Sequence, residues 1–153
     1  MNIQYEGAFL VARIHQISGR IFETILKKHD LSEISPAQGR ILFALWKNDN
    51  IPIQELAKET SLSKSTLTLM LDRLEERGFL VRVPSTQDRR EIFIRLTEKD
   101  RSLQDTYARV SEEMMAIGLS GFAADEVRDL ENKLRRILAN LADYEQRAKR
   151  TGQ

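Results

Sequence analysis

The chain has 153 residues, with 24 Lys and Arg against 23 Asp and Glu for a formal net charge of +1, 41% hydrophobic residues and no cysteine. That length fits one ordinary domain able to bury roughly two thirds of the surface its unfolded form exposes. The composition excludes disulfides, thiolate catalysis and thiol-based redox sensing, and no apolar run approaches the roughly 18 residues of a membrane span.

Residues 1–7 lack the basic stretch, apolar run and small-residue cleavage site of a secretory signal, so a cytoplasmic location is the default expectation. From residue 8 to 28, Phe9, Ile14, Ile17, Ile21, Ile25 and Leu26 recur at helical spacing with Arg13, Arg20, Glu23 and Lys27 between them, which predicts a long first helix ending near Asp30. The period lapses from Leu31 to Ser35. Ser35, Pro36 and Gln38 then supply an N-cap, a proline at the first helical position and a capping-box partner, starting a second helix that runs to about Lys47.

Asn48, Asp49 and Asn50 form a polar turn, and a short third helix is expected from Ile53 or Gln54 through Glu59. Ser63 caps a fourth helix in which Leu67, Met70, Leu71 and Leu74 line one side, and Gly78 stops it. The period then changes to two: residues 79–83 are rich in β-formers, residues 84–90 form a polar turn, and Ile92, Ile94 and Leu96 alternate with Phe93 and Arg95. Thr97 is placed to cap a fifth helix from Glu98 to about Ile117. Residues 120–122 separate it from a sixth helix through Val127, Leu130, Leu134, Ile137, Leu138 and Leu141, with residues 147–153 expected to fray.

Two short helices joined by a tight turn and followed by a hairpin describe a winged helix-turn-helix, in a fold that is mostly α with a small β-hairpin wing. With Leu67, Met70, Leu71 and Leu74 buried, the opposite face of the fourth helix carries Ser65, Thr68, Leu69 and Asp72, flanked by Thr66 and Arg73. Small hydroxyls in the first turns suit a helix entering the major groove of double-stranded DNA, where base edges and phosphates are met near its N-terminus. The expected contacts are Ser63, Lys64, Ser65, Thr66 and Thr68, with Arg73 and Arg77 toward the phosphate backbone. At the hairpin tip, Arg89 and Arg90 are placed to reach a minor groove or its phosphates, and Asp88 is expected to orient Arg90 through a carboxylate to guanidinium bridge. An exposed amphipathic helix and a solvated hairpin tip are the plainer readings of the same residues. Residues 61–97 carry seven basic side chains against five acidic ones, a local excess of two.

The run Asp88, Arg89, Arg90, Ile92, Ile94, Leu96 and Thr97 resembles the wing signature of the MarR family of regulators, and Ser35 to Leu45, Leu56 to Ala57, Leu62 to Leu74 and Arg77 to Leu80 are similar to that family's pattern in order and spacing. The resemblance covers nearly the whole chain. It implies one MarR-like domain over 1–153, with the winged lobe at 36–97 and dimerisation helices at 1–34 and 98–153, acting as a homodimer on a palindromic operator. Half-sites about 10 base pairs apart follow from two-fold symmetry. Where the family often has glycine three residues after the threonine that ends the wing, this chain has Asp100, read as a first-turn carboxylate favourable to the helix dipole. The resemblance also implies a repressor released by a small aromatic or phenolic anion held between the dimerisation helices and the lobe. By that analogy His15, Arg20, Phe22, Arg40 and Phe43 are the side chains to watch, against core packing for the aromatics and solvation for the arginines.

Catalysis is not expected. His15 and His29 would stand about 21 Å apart on one straight helix, too far to share a metal, and no glycine-rich phosphate loop is present, so no enzyme activity, metal or cofactor is foreseen. The competing reading is a winged-helix module that binds another protein, since the fold alone does not fix its function.

Overall fold

The computed structural model describes residues 5–31 and 34–152, apart from the side chain of Ser102. The apolar period near the N-terminus gives α1 (Gly7–Lys28). The junction expected to break that period includes residues 32 and 33, which lie outside the described residues, as do residues 1–4 and 153. Ser35 then starts α2 (Pro36–Lys47) as foreseen: its hydroxyl accepts the Gln38 N–H, and the Gln38 side chain accepts the Ser35 N–H at 2.9 Å. α3 (Ile53–Thr60) and α4 (Lys64–Glu76) follow, and Ser61, at φ 53°, makes the left-handed step out of α3.

Gly78 ends α4 in a Schellman motif. At φ 77° it donates its N–H to the Glu75 carbonyl, and Phe79 donates to the Leu74 carbonyl. The chain turns there into β2 (Leu80–Pro84), which pairs antiparallel with β3 (Ile92–Leu96) from Leu80 opposite Leu96 to Pro84 opposite Ile92. One strand was not foreseen. Ile51 and Pro52 form β1 and pair with Ile94 and Phe93, so the wing is a three-stranded sheet of order β1-β3-β2 rather than a lone hairpin. Two residues are too few to show alternation, and Pro52 is tolerated because β1 is an edge.

The chain forms two compact units that part after Met114. The first unit contains the core: Ile25 and Leu26 of α1, Ile41, Leu42 and Leu45 of α2, Leu56 of α3, Leu67, Leu71 and Leu74 of α4, and Ile51, Leu80 and Ile94 of the sheet. Met70, expected in the buried stripe, is half-buried against this cluster. α5 (Glu98–Gly118) adds Leu103, Tyr107 and Val110. Each fully buried Leu or Ile contributes roughly 1.5–3 kcal/mol, so the lobe has ample reason to hold α2, α3, α4 and the sheet in one arrangement. Thr97, expected to cap α5, directs its hydroxyl proton to the Gly78 carbonyl, tying the end of β3 to the end of α4.

The second unit holds α6 (Ala124–Thr151), among whose described residues none is buried. Its apolar residues Leu130, Leu134, Ile137, Leu138 and Leu141 form an exposed stripe. Residues 147–151, expected to fray, are helical. Asp129 with Lys133, Glu131 with Arg135, Asp143 with Arg147 and Glu145 with Lys149 pair one turn apart, each acid N-terminal to its base, the favourable orientation.

Candidate nucleic-acid interface

α4 presents two chemically distinct faces. Leu67, Leu71 and Leu74 are buried, while Ser65, Thr68, Leu69 and Asp72 on the opposite side are all exposed. At its N-terminus the hydroxyls form a local network. Ser63 accepts the Thr66 N–H, donates to the Thr66 hydroxyl at 2.8 Å, and lies 3.3 Å from the Ser65 hydroxyl. Thr68 donates to the Lys64 carbonyl at 2.9 Å, leaving its oxygen free to accept. Open backbone N–H groups, the positive end of the helix dipole and the exposed Lys64 make this end suited to a phosphate.

Asp72, which sequence placed on the open face, is engaged. Arg82 of β2 donates to Asp72 at 2.7 Å and to Glu75 at 2.6 Å, and its backbone N–H donates to the other Glu75 oxygen at 3.0 Å. Two carboxylates on α4 thereby share one positive charge from the sheet, and the guanidinium bridging them ties β2 to α4. Sequence reasoning counted Arg82 only as a positive charge. Pairing across seven and ten residues, between a helix and a strand, has no periodic signature that sequence could show. Leu69, 47% exposed on the hydroxyl-bearing face, also belongs to this surface; an apolar side chain there suits contact with a thymine methyl.

The wing tip is built on Ser85 and Asp88. The Ser85 hydroxyl accepts the Gln87 and Asp88 N–H groups, and Ser85 donates its own N–H to the Glu91 carbonyl. Asp88 does orient residue 90, but not through the guanidinium: its carboxylate accepts the Arg90 backbone N–H at 2.9 Å. A residue two positions on in a tight turn brings its amide, not its long side chain, back to the aspartate. The Arg89 and Arg90 side chains are exposed, and no described residue pairs with either guanidinium. Arg73 and Arg77 stand at the far end of α4. Both line a surface cleft of about 420 Å³ with Lys27, Glu23 and Glu76, and the Arg77 guanidinium lies over the Phe79 ring at 5.1 Å.

The five residues singled out for an effector do not line that cleft. His15, Arg20, Arg40 and Phe43 are exposed, and Phe22 is half-buried with its ring edge-on to Tyr107 at 5.6 Å. Arg40 donates to the Thr60 carbonyl at 3.5 Å, and Lys47 caps the Phe43 ring at 5.6 Å. Asp100 departs furthest from expectation. It stands in the first turn of α5, but it is 2% exposed, its Oδ2 accepts the Trp46 indole N–H at 2.6 Å, and its Oδ1 has no partner among the described residues. Burial pushes its carboxyl above the usual range, opposed by the indole bond and reinforced by Asp49. Among the described residues no His, Cys, Asp or Glu group assembles with metal-binding geometry.

The MarR family model matches residues 34–92, from the residue before the cap of α2 to the first residue of β3. The chain is 30% identical over 119 residues to the HTH-type transcriptional regulator SarZ of Staphylococcus haemolyticus, covering 78% of each chain. It is 28% identical over 141 residues to the organic hydroperoxide resistance transcriptional regulator of Bacillus subtilis, covering 92% of each. Among solved structures, a MarR mutant from E. coli complexed with operator DNA superposes with a TM-score of 0.73 at 28% identity, over 86% of this chain and 92% of that one. With the recognition helix, sheet and wing in place and these relatives alongside, the chain belongs to the MarR family of winged helix-turn-helix transcriptional regulators.

Proposed function

We infer that this regulator binds double-stranded DNA sequence-specifically as a homodimer, with α4 in the major groove and the wing tip at the adjacent minor groove. The observation that carries this reading is an open, hydroxyl-lined α4 N-terminus together with two exposed guanidinium groups at the wing tip that pair with no described residue. Hydroxyls and backbone N–H groups at Ser63, Lys64, Ser65, Thr66 and Thr68 hold the phosphates and set the register, and Arg89 and Arg90 enter the narrow groove, where negative potential is strongest. A relative solved with operator DNA supports duplex DNA as the partner. A two-fold dimer requires a palindromic operator with half-sites about one helical turn apart, and occupancy of such a site blocks polymerase, which makes repression the simplest outcome. The effector class is a small aromatic or phenolic anion whose binding weakens the hold on DNA. Since the chain has no cysteine, a thiol-based response to hydroperoxide is closed to it.

The test is a titration against the DNA upstream of its own coding region and against random duplex at two salt concentrations, with Arg90→Ala beside the wild type. Tight, sequence-preferring and steeply salt-dependent binding that Arg90→Ala weakens is the expected result. Equal, weak binding to every duplex would replace this reading with a winged-helix module for protein partners.

A further inference from the structure

Two carboxylates hold the place where the wing sheet passes into α5. Asp49, in the turn after α2, accepts the Leu96 N–H at the end of β3 at 2.9 Å. Asp100, one turn into α5, accepts the indole N–H of Trp46 near the end of α2. The first is an exposed turn aspartate. The second is enclosed, with no partner for Oδ1 among the described residues and 2% of the residue exposed. A buried carboxylate with a free lone pair and no counter-ion is costly, and a single proton removes its charge.

The surrounding charges do not offset it. Among the described residues no cation pairs with Asp100: on its own helix Arg101 bonds Glu98 at 3.2 Å, and the Lys99 ammonium lies over Phe79 at 4.9 Å and donates to the Arg77 carbonyl. On α2, Lys47 faces Phe43. From the turn, Asp49 acts as a like charge, and the other side of the Trp46 contact is the buried, neutral ring of Tyr107 at 5.0 Å. The group therefore faces an indole donor, a second carboxylate and an aromatic wall, with the positive end of the α5 dipole favouring its charge.

We propose that Asp100 is a positioning residue for DNA binding that acts through Trp46, a proton-responsive clasp between the end of α2 and the start of α5. Protonation relieves the enclosed charge while weakening the charge-assisted indole bond; deprotonation does the reverse. Because α2 packs against α3 and α4, and α5 continues directly from β3, the state of this clasp sets how firmly the recognition helix and wing share one frame. The folded chain takes up this proton more readily than the unfolded chain, since burial raises the Asp100 pKa. Its contribution to stability is present at low pH and is lost as pH rises through the folded-state value.

Trp46 is the only tryptophan, so its emission reports this contact directly. The experiment is a pH titration of Trp46 fluorescence without DNA, on wild type, Asp100→Asn and Asp49→Asn, followed by duplex affinity over the same pH range. The wild-type transition is expected above the ordinary aspartate range, lost in Asp100→Asn and moved to lower pH in Asp49→Asn, whose amide oxygen still accepts the Leu96 N–H. The ratio of wild-type to Asp100→Asn affinity is expected to change across that same window. An unaltered transition in Asp100→Asn, or one at the ordinary aspartate value, would overturn the clasp. If Asp100→Asn fails to fold, an unmoved midpoint in Asp49→Asn overturns it. A fluorescence transition with a constant affinity ratio overturns the positioning role. The DNA arm rests on the DNA-binding reading, and the fluorescence arm does not: loss of all duplex binding with an intact fluorescence transition sinks that reading and leaves the clasp standing.

Discussion

Arg82 and Asp88 carry most of what individual side chains do for the wing. Arg82 is largely buried, with 22% of its side chain exposed, and holds both Asp72 and Glu75. Arg82→Ala is expected to lower stability by roughly 1 kcal/mol, the upper end for partly exposed pairs because one guanidinium bridges two carboxylates. It also leaves two uncompensated carboxylates on the α4 side of the lobe. Duplex affinity should fall more at low salt than at high salt, and denaturant melts with salt-varied binding isotherms check both effects. Asp88 has the opposite appearance and a similar role. A carboxylate beside DNA repels phosphate, yet this one holds the Arg90 amide and hence the shape of the tip. Asp88→Ala is expected to weaken DNA binding through a looser turn; tighter binding at constant salt would refute the assignment.

Between elements, two glycines set the packing. Gly78 at φ 77° closes α4 and aims Phe79 back onto the core. Gly78→Ala is expected to cost about 1–2 kcal/mol, read as a lower denaturant midpoint, because a Cβ in the left-handed region meets the following carbonyl. Gly39 of α2 lies against Tyr107 of α5, where an added Cβ would stand 1.8 Å from the phenol oxygen. Burial among Phe22, Trp46 and Gly39 also pushes the Tyr107 hydroxyl well up from its ordinary pKa. Gly39→Ala is expected to destabilise by about 1–3 kcal/mol by overpacking, and the Trp46 emission should shift with it. Neither glycine is exchangeable, although only Gly78 announces itself locally, by following a helix.

For the whole molecule, the exposed apolar stripes are the outstanding feature. Leu10, Ile14 and Ile17 of α1, at helical spacing, are exposed, and so are Ile137, Leu138 and Leu141 of α6. Two such stripes are what an intertwined homodimer would bury. The double substitution Leu138→Glu with Leu141→Glu is expected to leave helicity intact, since neither side chain enters the core, and to yield a monomer in sedimentation velocity with weak duplex binding. A wild-type chain that sediments as a monomer at micromolar concentration would exclude the dimer.

Helix order, both serine caps, the Gly78 stop and the β2–β3 hairpin were legible in the sequence because each is written in residues a few positions apart: periods of 3.6 or 2, a cap and its partner, a glycine after a helix. The exposed face of α4, with its hydroxyls at Ser65 and Thr68, followed from the same periodicity. The tertiary structure alone decided the rest. β1 exists because β3 offers it an edge, and Arg82 lies over α4 because the Schellman turn folds β2 back along the helix. Asp100 reads as a surface dipole partner until α2 brings Trp46 over it. Local patterns specify elements, but pairing partners distant in sequence, and the dielectric around a carboxylate, are set only when those elements pack.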